Sequence, residues 1–361
     1  MTRSAIEVRA ARPYPVVVGP GALAEAAGTA HGASAVAVLS DAHVAPLHAA
    51  RLGPLAAAPT HVVAPGEGAK SFAVLEQVLD FLAAADLDRH SVLVALGGGV
   101  VGDLGGLAAS LYMRGIDVVQ CPTTLLAMVD AAVGGKTAVN LAAGKNLAGT
   151  FHAPRAVFAD PTVLATLPPE EYLSGLGEVV KTALVGDAAL LALLEARSAA
   201  VGRREPALLG EVVERCVRVK AGVVGRDEKE DGERKTLNLG HTFAHGIERA
   251  AGYGAIPHGV AVAAGLGLAL RASARLGRLA DAALPARVAA LLARLGLPPD
   301  LAALRRRYGC ALPPAALLAG MRHDKKGRAG APALVVPCAA GVVEWDIPAD
   351  PVLLESLLDG G

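Results

Sequence analysis

Six short valine-rich runs punctuate the first 165 residues, and each ends at glycine, proline or aspartate. They are PVVVG (15–19), AVAVLS (35–40), THVVA (60–64), SVLVAL (91–96), DVVQC (117–121) and AVFAD (156–160). Apolar, β-branched runs of this length between turn residues read as buried strands. Helical patterns lie between them, at 71–87 (SFAVLEQVLDFLAAADL) and 102–115 (GDLGGLAASLYMRG). Strands alternating with helices predict a mostly parallel sheet covered on both faces, hence a Rossmann-like α/β domain over 1–165. After Asp160-Pro161 the composition shifts. Residues 169–320 are dense in Ala, Leu, Glu and Arg with helical periodicity, and Pro168-Pro169 suits the opening of a helix. A second, all-α domain over 166–361 is expected. Its late polar loop, MRHDKKGRAG, leads into ALVVPCAAGVVEW, which reads as a short hairpin.

A chain of 361 residues suits two domains and needs no covalent staples. Its formal charge is zero and only 3% of residues are aromatic, which argues against a nucleic-acid surface. Cys121, Cys216, Cys310 and Cys338 are scattered without a CxxC pair, as in the core of a protein from a reducing cytoplasm. No secretion signal is apparent at MTRSAIEVRA, and the apolar run VAVAAGLGLAL is too short to span a bilayer. A cytoplasmic enzyme with no membrane or nucleic-acid partner is the expectation.

The fourth valine-rich run opens onto GGGVVGD, where Gly97, Gly99 and Gly102 satisfy G-x-G-x-x-G between a strand and a helix. Glycines there permit a tight turn and let a pyrophosphate approach the helix N-terminus. The competing reading is a tight βα turn and nothing more. No acidic residue ends the next strand, because Asp117 begins it; Asp41, closing an earlier strand, is the better ribose candidate. PGEGAKS presents Gly66, Glu67 and Lys70 in a polar loop. The stretch from 121 to 149 sets Thr123, Thr124, Asp130, Lys136, Asn140, Lys145 and Asn146 among glycines and alanines. Isolated cations amid small residues suit anion contacts, although Asp130 and Lys136 are also a plausible structural pair.

The second half carries Glu178, His241, His245 and His258. Glu178 and Lys181 are i,i+3 on one helix, a spacing usually seen in surface ion pairs. His241 and His245 are one turn apart, and His258 follows 13 residues later. A carboxylate and histidines converging from separate helices suit a divalent ion with an open position. Which three of the four bind is not fixed by spacing. Upstream lie Lys220, Arg234 and Asn238. If that segment is helical, Arg234, Asn238, His241 and His245 form one stripe suited to an anionic, hydroxyl-rich ligand. A metal and a dinucleotide in one chain point to redox chemistry at an alcohol carbon.

Taken together, YPVVVGPG, PGEGAKS, GGGVVGDLGG, YMRGI, PTTLLAMVDAAVGGKTAVN, GKNLAGTFHAP, DPTVLATLP, GEVVKTAL, DEKEDGERKTLNLGHTFAH and the HG of IPHGVAV resemble the 3-dehydroquinate synthases over nearly the full chain. The resemblance implies NAD and Zn2+ (Co2+ being the other candidate ion), with Glu178, His241 and His258 as metal ligands and His245 beside the reacting end. It implies NAD contacts from Gly66, Glu67, Lys70, the turn Gly99, Val100, Val101, Gly102 and Asp103, from Thr123, Thr124, Lys136 and Lys145, and from Val163, Leu164, Ala165 and Thr166. Substrate contacts are implied for Asp130, Lys136, Asn146, Lys181, Lys220, Arg234, Asn238 and a lysine of the Lys325-Lys326 pair. Arg114 would reach the substrate phosphate from the partner in a homodimer. The implied reaction is transient NAD-dependent oxidation of 3-deoxy-D-arabino-heptulosonate 7-phosphate, elimination of phosphate, re-reduction and an intramolecular aldol closure to 3-dehydroquinate.

Departures from the family pattern touch no ligand or charged contact. Val260 stands where a glutamate is common, which predicts the loss of a contact that orients a metal ligand. Alanines stand in VDAAVGGK where serines are frequent. Three rival readings are another sugar-phosphate cyclase, a metal-dependent polyol dehydrogenase with net hydride transfer, and an inactive homologue used for binding.

Overall fold

A computed structural model describes residues 3–322 and 333–359. The chain forms two compact units. The first comprises 1–167 with 209–229, and the second 168–208 with 230–361. The sequence reading divides the chain at 165/166 and runs the second domain without interruption. In the structure a helical excursion, 209–229, packs back with the first unit.

The first unit holds strands β1 (Ser4–Val8), β2 (Tyr14–Val18), β3 (Val36–Asp41), β4 (Thr60–Val63), β5 (Val92–Gly97), β6 (Asp117–Pro122), β7 (Lys136–Leu141), β8 (Gly144–Phe151) and β9 (Ala156–Ala159). Seven of them form one sheet in the order β1-β2-β9-β6-β5-β3-β4. All six strands expected from the valine-rich runs are present and run parallel to their neighbours; β1 pairs antiparallel at the edge. Every residue of β5 is buried, as a strand covered on both faces requires. Helices α1 (Ala22–Thr29), α2 (Ala45–His48), α3 (Phe72–Ala84) and α4 (Gly99–Leu111) connect the strands. Leu75, Val78 and Leu82 of α3 pack with Leu93, Leu104 and Leu107 in one apolar cluster. Each such side chain contributes roughly 1.5–3 kcal/mol on burial.

The chain runs from β3 outward to β4 and then returns to lay β5 against the other side of β3. That reversal opens a crevice at the carboxyl ends of β3 and β5, where open α/β sheets bind ligands. Strands β7 and β8 form a separate antiparallel hairpin.

The second unit contains α5 (Pro169–Gly186) and α6 (Ala188–Gly202); α7 (Pro206–Arg226) is the helix that mostly joins the first unit. Then follow α8 (His241–Ala251), α9 (His258–Arg275), α10 (Leu284–Arg294), α11 (Leu301–Tyr308), α12 (Pro314–Arg322), the hairpin β10 (Ala333–Ala339) with β11 (Val342–Pro348), and α13 (Pro351–Asp359). Pro169 opens α5 with Glu170 and Glu171 in its first turn, where carboxylates complement the helix dipole. Residues 174–185 of α5 are buried on every side, so it is a core helix rather than an amphipathic one. It meets α9 backbone to backbone. A Cβ on Gly177 would lie 1.9 Å from the Gly259 carbonyl oxygen, and one on Gly259 would lie 1.7 Å from that of Ser174. Among the described residues no helix is long and apolar enough to cross a membrane.

Candidate active site

Glu178 lies mid-way along α5, His241 is the first residue of α8, and His258 is the first residue of α9. Their ligand atoms all lie within 4.8 Å of one another. Glu178 Oε1 is 3.5 Å from His258 Nε2 and 3.7 Å from His241 Nε2. The glycine contact between α5 and α9 creates this closeness, because Gly177 and Gly259 are the chain neighbours of Glu178 and His258. His245 lies one turn along α8, its ring 5.6 Å from that of His241 and 6.3 Å from that of His258. It shares the cluster but not the convergent set. The ambiguity left by spacing thus resolves in geometry toward Glu178, His241 and His258.

The other ring nitrogens are engaged. His241 Nδ1 is 3.3 Å from the Leu239 carbonyl, and His258 Nδ1 is 3.1 Å from Glu248 Oε2. Both Nε2 atoms are thereby turned toward Glu178. For His258 the orienting contact is supplied by Glu248 from α8. Without an ion the two histidines behave oppositely. Burial holds His241 down to about 3, against the pull of Glu178. For His258 burial acts in the same direction but is outweighed by hydrogen bonds to Glu178 and Glu248, which lift it to about 10.

Lys181 Nζ sits 2.5 Å from Glu178 Oε2, and both side chains are at most 2% exposed. The expected surface pair is therefore a buried one. Arg234 is also fully buried, 2% exposed. The stripe from Arg234 to His245 does not form as a continuous helix. Glu233–Asn238 is a 3₁₀ turn, and Gly240 then adopts φ 78° before α8 begins. A side chain does not fit at that position: a Cβ on Gly240 would lie 3.1 Å from the Leu266 backbone nitrogen. Asn238 Nδ2 donates to Glu230 Oε1 at 2.6 Å. Glu230 has φ 67°, unusual for a non-glycine residue and a mark of local constraint. Sequence reasoning passed over Glu230 and Glu248, each of which looks like an ordinary helix or loop carboxylate. The available signals were Glu248 at i+7 from His241, and Glu230 inside a charge run beside Arg234.

In the first unit, β5 ends at Gly97 and α4 starts at Gly99. Asp41 ends β3, one position beyond the Ser40–Leu96 pair, so it flanks the glycine turn at the sheet's reversal. Its Oδ1 accepts the amides of His43 and Val44 at 2.8 and 2.9 Å. Gly97, Gly98 and Gly102 leave no space for side chains: added Cβ atoms would meet Val101 at 2.6 Å, Thr124 at 3.0 Å and Gln120 at 2.8 Å. Thr123 donates its amide to the Gly97 carbonyl at 2.9 Å, and its buried hydroxyl has no hydrogen-bond partner. Val163 and Leu164 are fully buried, and the Thr166 hydroxyl is engaged by His48 at 2.9 Å.

Lys70 is 4% exposed and gathers three elements: Nζ donates to Asp103 Oδ2 at 2.6 Å on α4 and to Asn146 Oδ1 on β8, while Glu67 accepts Asn140 Nδ2 at 2.7 Å. Asn146, expected at the substrate, is thus grouped with residues expected at the cofactor. Asp130 meets Lys220 of α7, whose Nζ lies 2.7 Å from Oδ1 and 2.6 Å from the Asp130 carbonyl. Asp130 is a third exposed, not sealed in apolar surroundings, and it lies in a π-turn at Ala127–Ala131, a distortion frequent at functional sites. Lys136 is exposed at the start of β7 and Lys145 half-buried on β8. Arg114 is exposed after α4, and both it and Met113 have left-handed backbone, φ 64° and 49°. Lys325 and Lys326 lie outside the described residues.

Residues 60–174 match the family described as 3-dehydroquinate synthase N-terminal, and 175–327 match its C-terminal counterpart. The 3-dehydroquinate synthase of Caulobacter vibrioides (strain NA1000 / CB15N) is 50% identical over 252 residues, 67% of this chain and 68% of that relative. The chain belongs to the 3-dehydroquinate synthase family. Among solved structures, 2-epi-5-epi-valiolone synthase from Streptomyces hygroscopicus, with NAD+ and Zn2+ bound, is 32% identical with a TM-score of 0.84, covering 96% of both chains. The 2-deoxy-scyllo-inosose synthase complexed with carbaglucose-6-phosphate, NAD+ and Co2+ is 26% identical with a TM-score of 0.86, covering 99% of this chain and all of that one.

Proposed function

We propose that this chain converts 3-deoxy-D-arabino-heptulosonate 7-phosphate to 3-dehydroquinate and phosphate, a carbon–oxygen lyase reaction, using NAD+ and a divalent cation. The observation that carries the reading is the convergence of Glu178, His241 and His258 in a member of this family. The donor set fits Zn2+ or Co2+: one buried carboxylate and two imidazole nitrogens, with both opposite ring nitrogens already engaged. A glycine turn at a sheet reversal, with a buried, unpartnered Thr123 hydroxyl beside it, fits a dinucleotide. We assign NAD to the α/β unit and the cation, with much of the substrate, to the helical unit.

When bound, the two cofactors supply reversible hydride exchange and a Lewis acid toward a substrate hydroxyl. The protein's own groups supply position and charge. We assign Lys181, held beside Glu178, and the buried guanidinium of Arg234 to the charged oxygens of the substrate. Glu230 fixes the Asn238 amide, and Asp130 fixes Lys220. To His245, whose ring lies 5.6 Å from that of His241, we assign proton transfer at the leaving end. We further assign Arg114 to the phosphate of a partner subunit in a homodimer, and the enzyme to the cytoplasm.

The test is a discontinuous assay with the heptulosonate phosphate, NAD+ and Zn2+. Phosphate release without net NADH supports the reading. No phosphate, or steady NADH accumulation, rejects it in favour of an inactive or dehydrogenase-type protein. Turnover of sedoheptulose 7-phosphate or glucose 6-phosphate instead would assign a different cyclase specificity.

A further inference from the structure

Two histidines of the cluster are held by different kinds of acceptor. His241 Nδ1 faces the neutral carbonyl of Leu239 at 3.3 Å, whereas His258 Nδ1 faces the carboxylate of Glu248 at 3.1 Å. Glu248 is 4% exposed, seven residues along α8 from His241 and so on the same face of that helix. One helix therefore carries a ligand of its own and the acceptor for a ligand borne by another. The opposite edge of the His258 ring, Nε2, points at Glu178 Oε1 from 3.5 Å.

We propose that Glu248 is a positioning residue for His258, accepting a hydrogen bond from its Nδ1–H so that the imidazole presents the Nε2 lone pair to a divalent cation. This rests on the metal reading above. The side chain of His258 is a third exposed and sits at the first residue of α9, where local packing restrains it less than the buried Glu178. A charged acceptor on the far nitrogen makes up for that freedom: it selects one tautomer, fixes the ring plane and raises the basicity of the donor nitrogen. The Leu239 carbonyl does the same for His241 by hydrogen bonding alone. Removing the Glu248 charge therefore weakens the cation site through His258 without touching a ligand.

The experiment uses the full chain, stripped of metal and titrated with Zn2+ against a competing chelator, and then with Co2+ while its visible spectrum is recorded. Glu248→Gln keeps the volume and an acceptor oxygen but loses the charge. The expected result is a Zn2+ Kd raised by about 10- to 100-fold, with altered Co2+ bands. His258→Ala should weaken binding further. A Glu248→Gln chain with the parent's Kd and Co2+ spectrum, while His258→Ala loses the metal, overturns the role of Glu248 and leaves the metal site standing. Parent-level binding by His258→Ala overturns both. Should the glutamine variant not fold, Glu248→Asp, which withdraws the carboxylate by one methylene, reads the same contact; a weaker Zn2+ complex is expected, and parent-level affinity is the overturning result.

Discussion

Gly177→Ala is the perturbation that tests most sharply how the fold builds the site. A Cβ at 177 would stand 1.9 Å from the carbonyl oxygen of Gly259, a separation that real Cβ atoms do not adopt; ordinary contact begins near 3.4 Å. The obstructing atom is backbone, so no side chain can rotate aside. Helices α5 and α9 must separate locally by about 1.5 Å to reach normal van der Waals distance. Glu178 follows Gly177 and His258 precedes Gly259, so the displacement passes directly into two of the three proposed metal ligands. Metal–ligand distances tolerate roughly ±0.2 Å, several-fold less than the required movement. The core itself loses about 1–3 kcal/mol to overpacking. The expected outcome is a fall in melting temperature with a Zn2+ affinity at least tenfold lower. Gly202→Ala is the control: it lies at the end of α6 with nothing within 4 Å of an added Cβ, so it should be neutral or slightly stabilising. Parent-level stability and Zn2+ affinity in Gly177→Ala would refute the claim that this backbone contact sets the ligand spacing.

Lys181→Met removes one cationic partner of a buried carboxylate that also faces His258, and should lower the melting temperature of the metal-free protein, but by less with Zn2+ present, because a cation there again compensates Glu178; equal losses of melting temperature in both states would count against it. Burial alone would raise the carboxyl of Asp117, but the hydrogen bond and charge of Arg12, with those of Arg155, outweigh it and hold the group below its usual value of 3.8. That stabilisation is present above the unfolded value and lost as pH falls through the folded one. Asp117→Asn should therefore unfold at lower urea than the parent at neutral pH, with the gap closing in acid; a gap that persists in acid contradicts the charge argument. Mixing Arg114→Ala with His241→Ala, each inactive alone, should restore part of the phosphate-releasing activity through mixed dimers, and no recovery on mixing would sink the assignment of Arg114 to the partner's site.

Much of the α/β sheet was legible because its strands are valine-rich and closed by turn residues, a pattern that a parallel, doubly covered sheet imposes. The β7–β8 hairpin was not, because GKNLAGTF and KTAVNL carry few β-branched residues and read as a small-residue loop. The helical periodicity of 169–320 covers α7 but carries no information about which core that helix docks on; the Lys220–Asp130 contact supplies that. The histidine pair was readable from i,i+4 spacing, whereas the break before His241 was not: a lone glycine at 240 does not show that it packs against α9, a neighbour distant in sequence. Burial was the other blind spot. Glu178 and Lys181 have the spacing of a common surface pair, and only packing of α5 on all sides turns them into part of a site.

Anomalous diffraction at the zinc edge from crystals of the Zn2+-loaded chain tests the central claim most directly. The predicted result is one ion bonded to a Glu178 carboxylate oxygen, His241 Nε2 and His258 Nε2 at about 2.0–2.2 Å, with His245 off the metal. An ion held elsewhere, or His245 in place of one of the three, would contradict it.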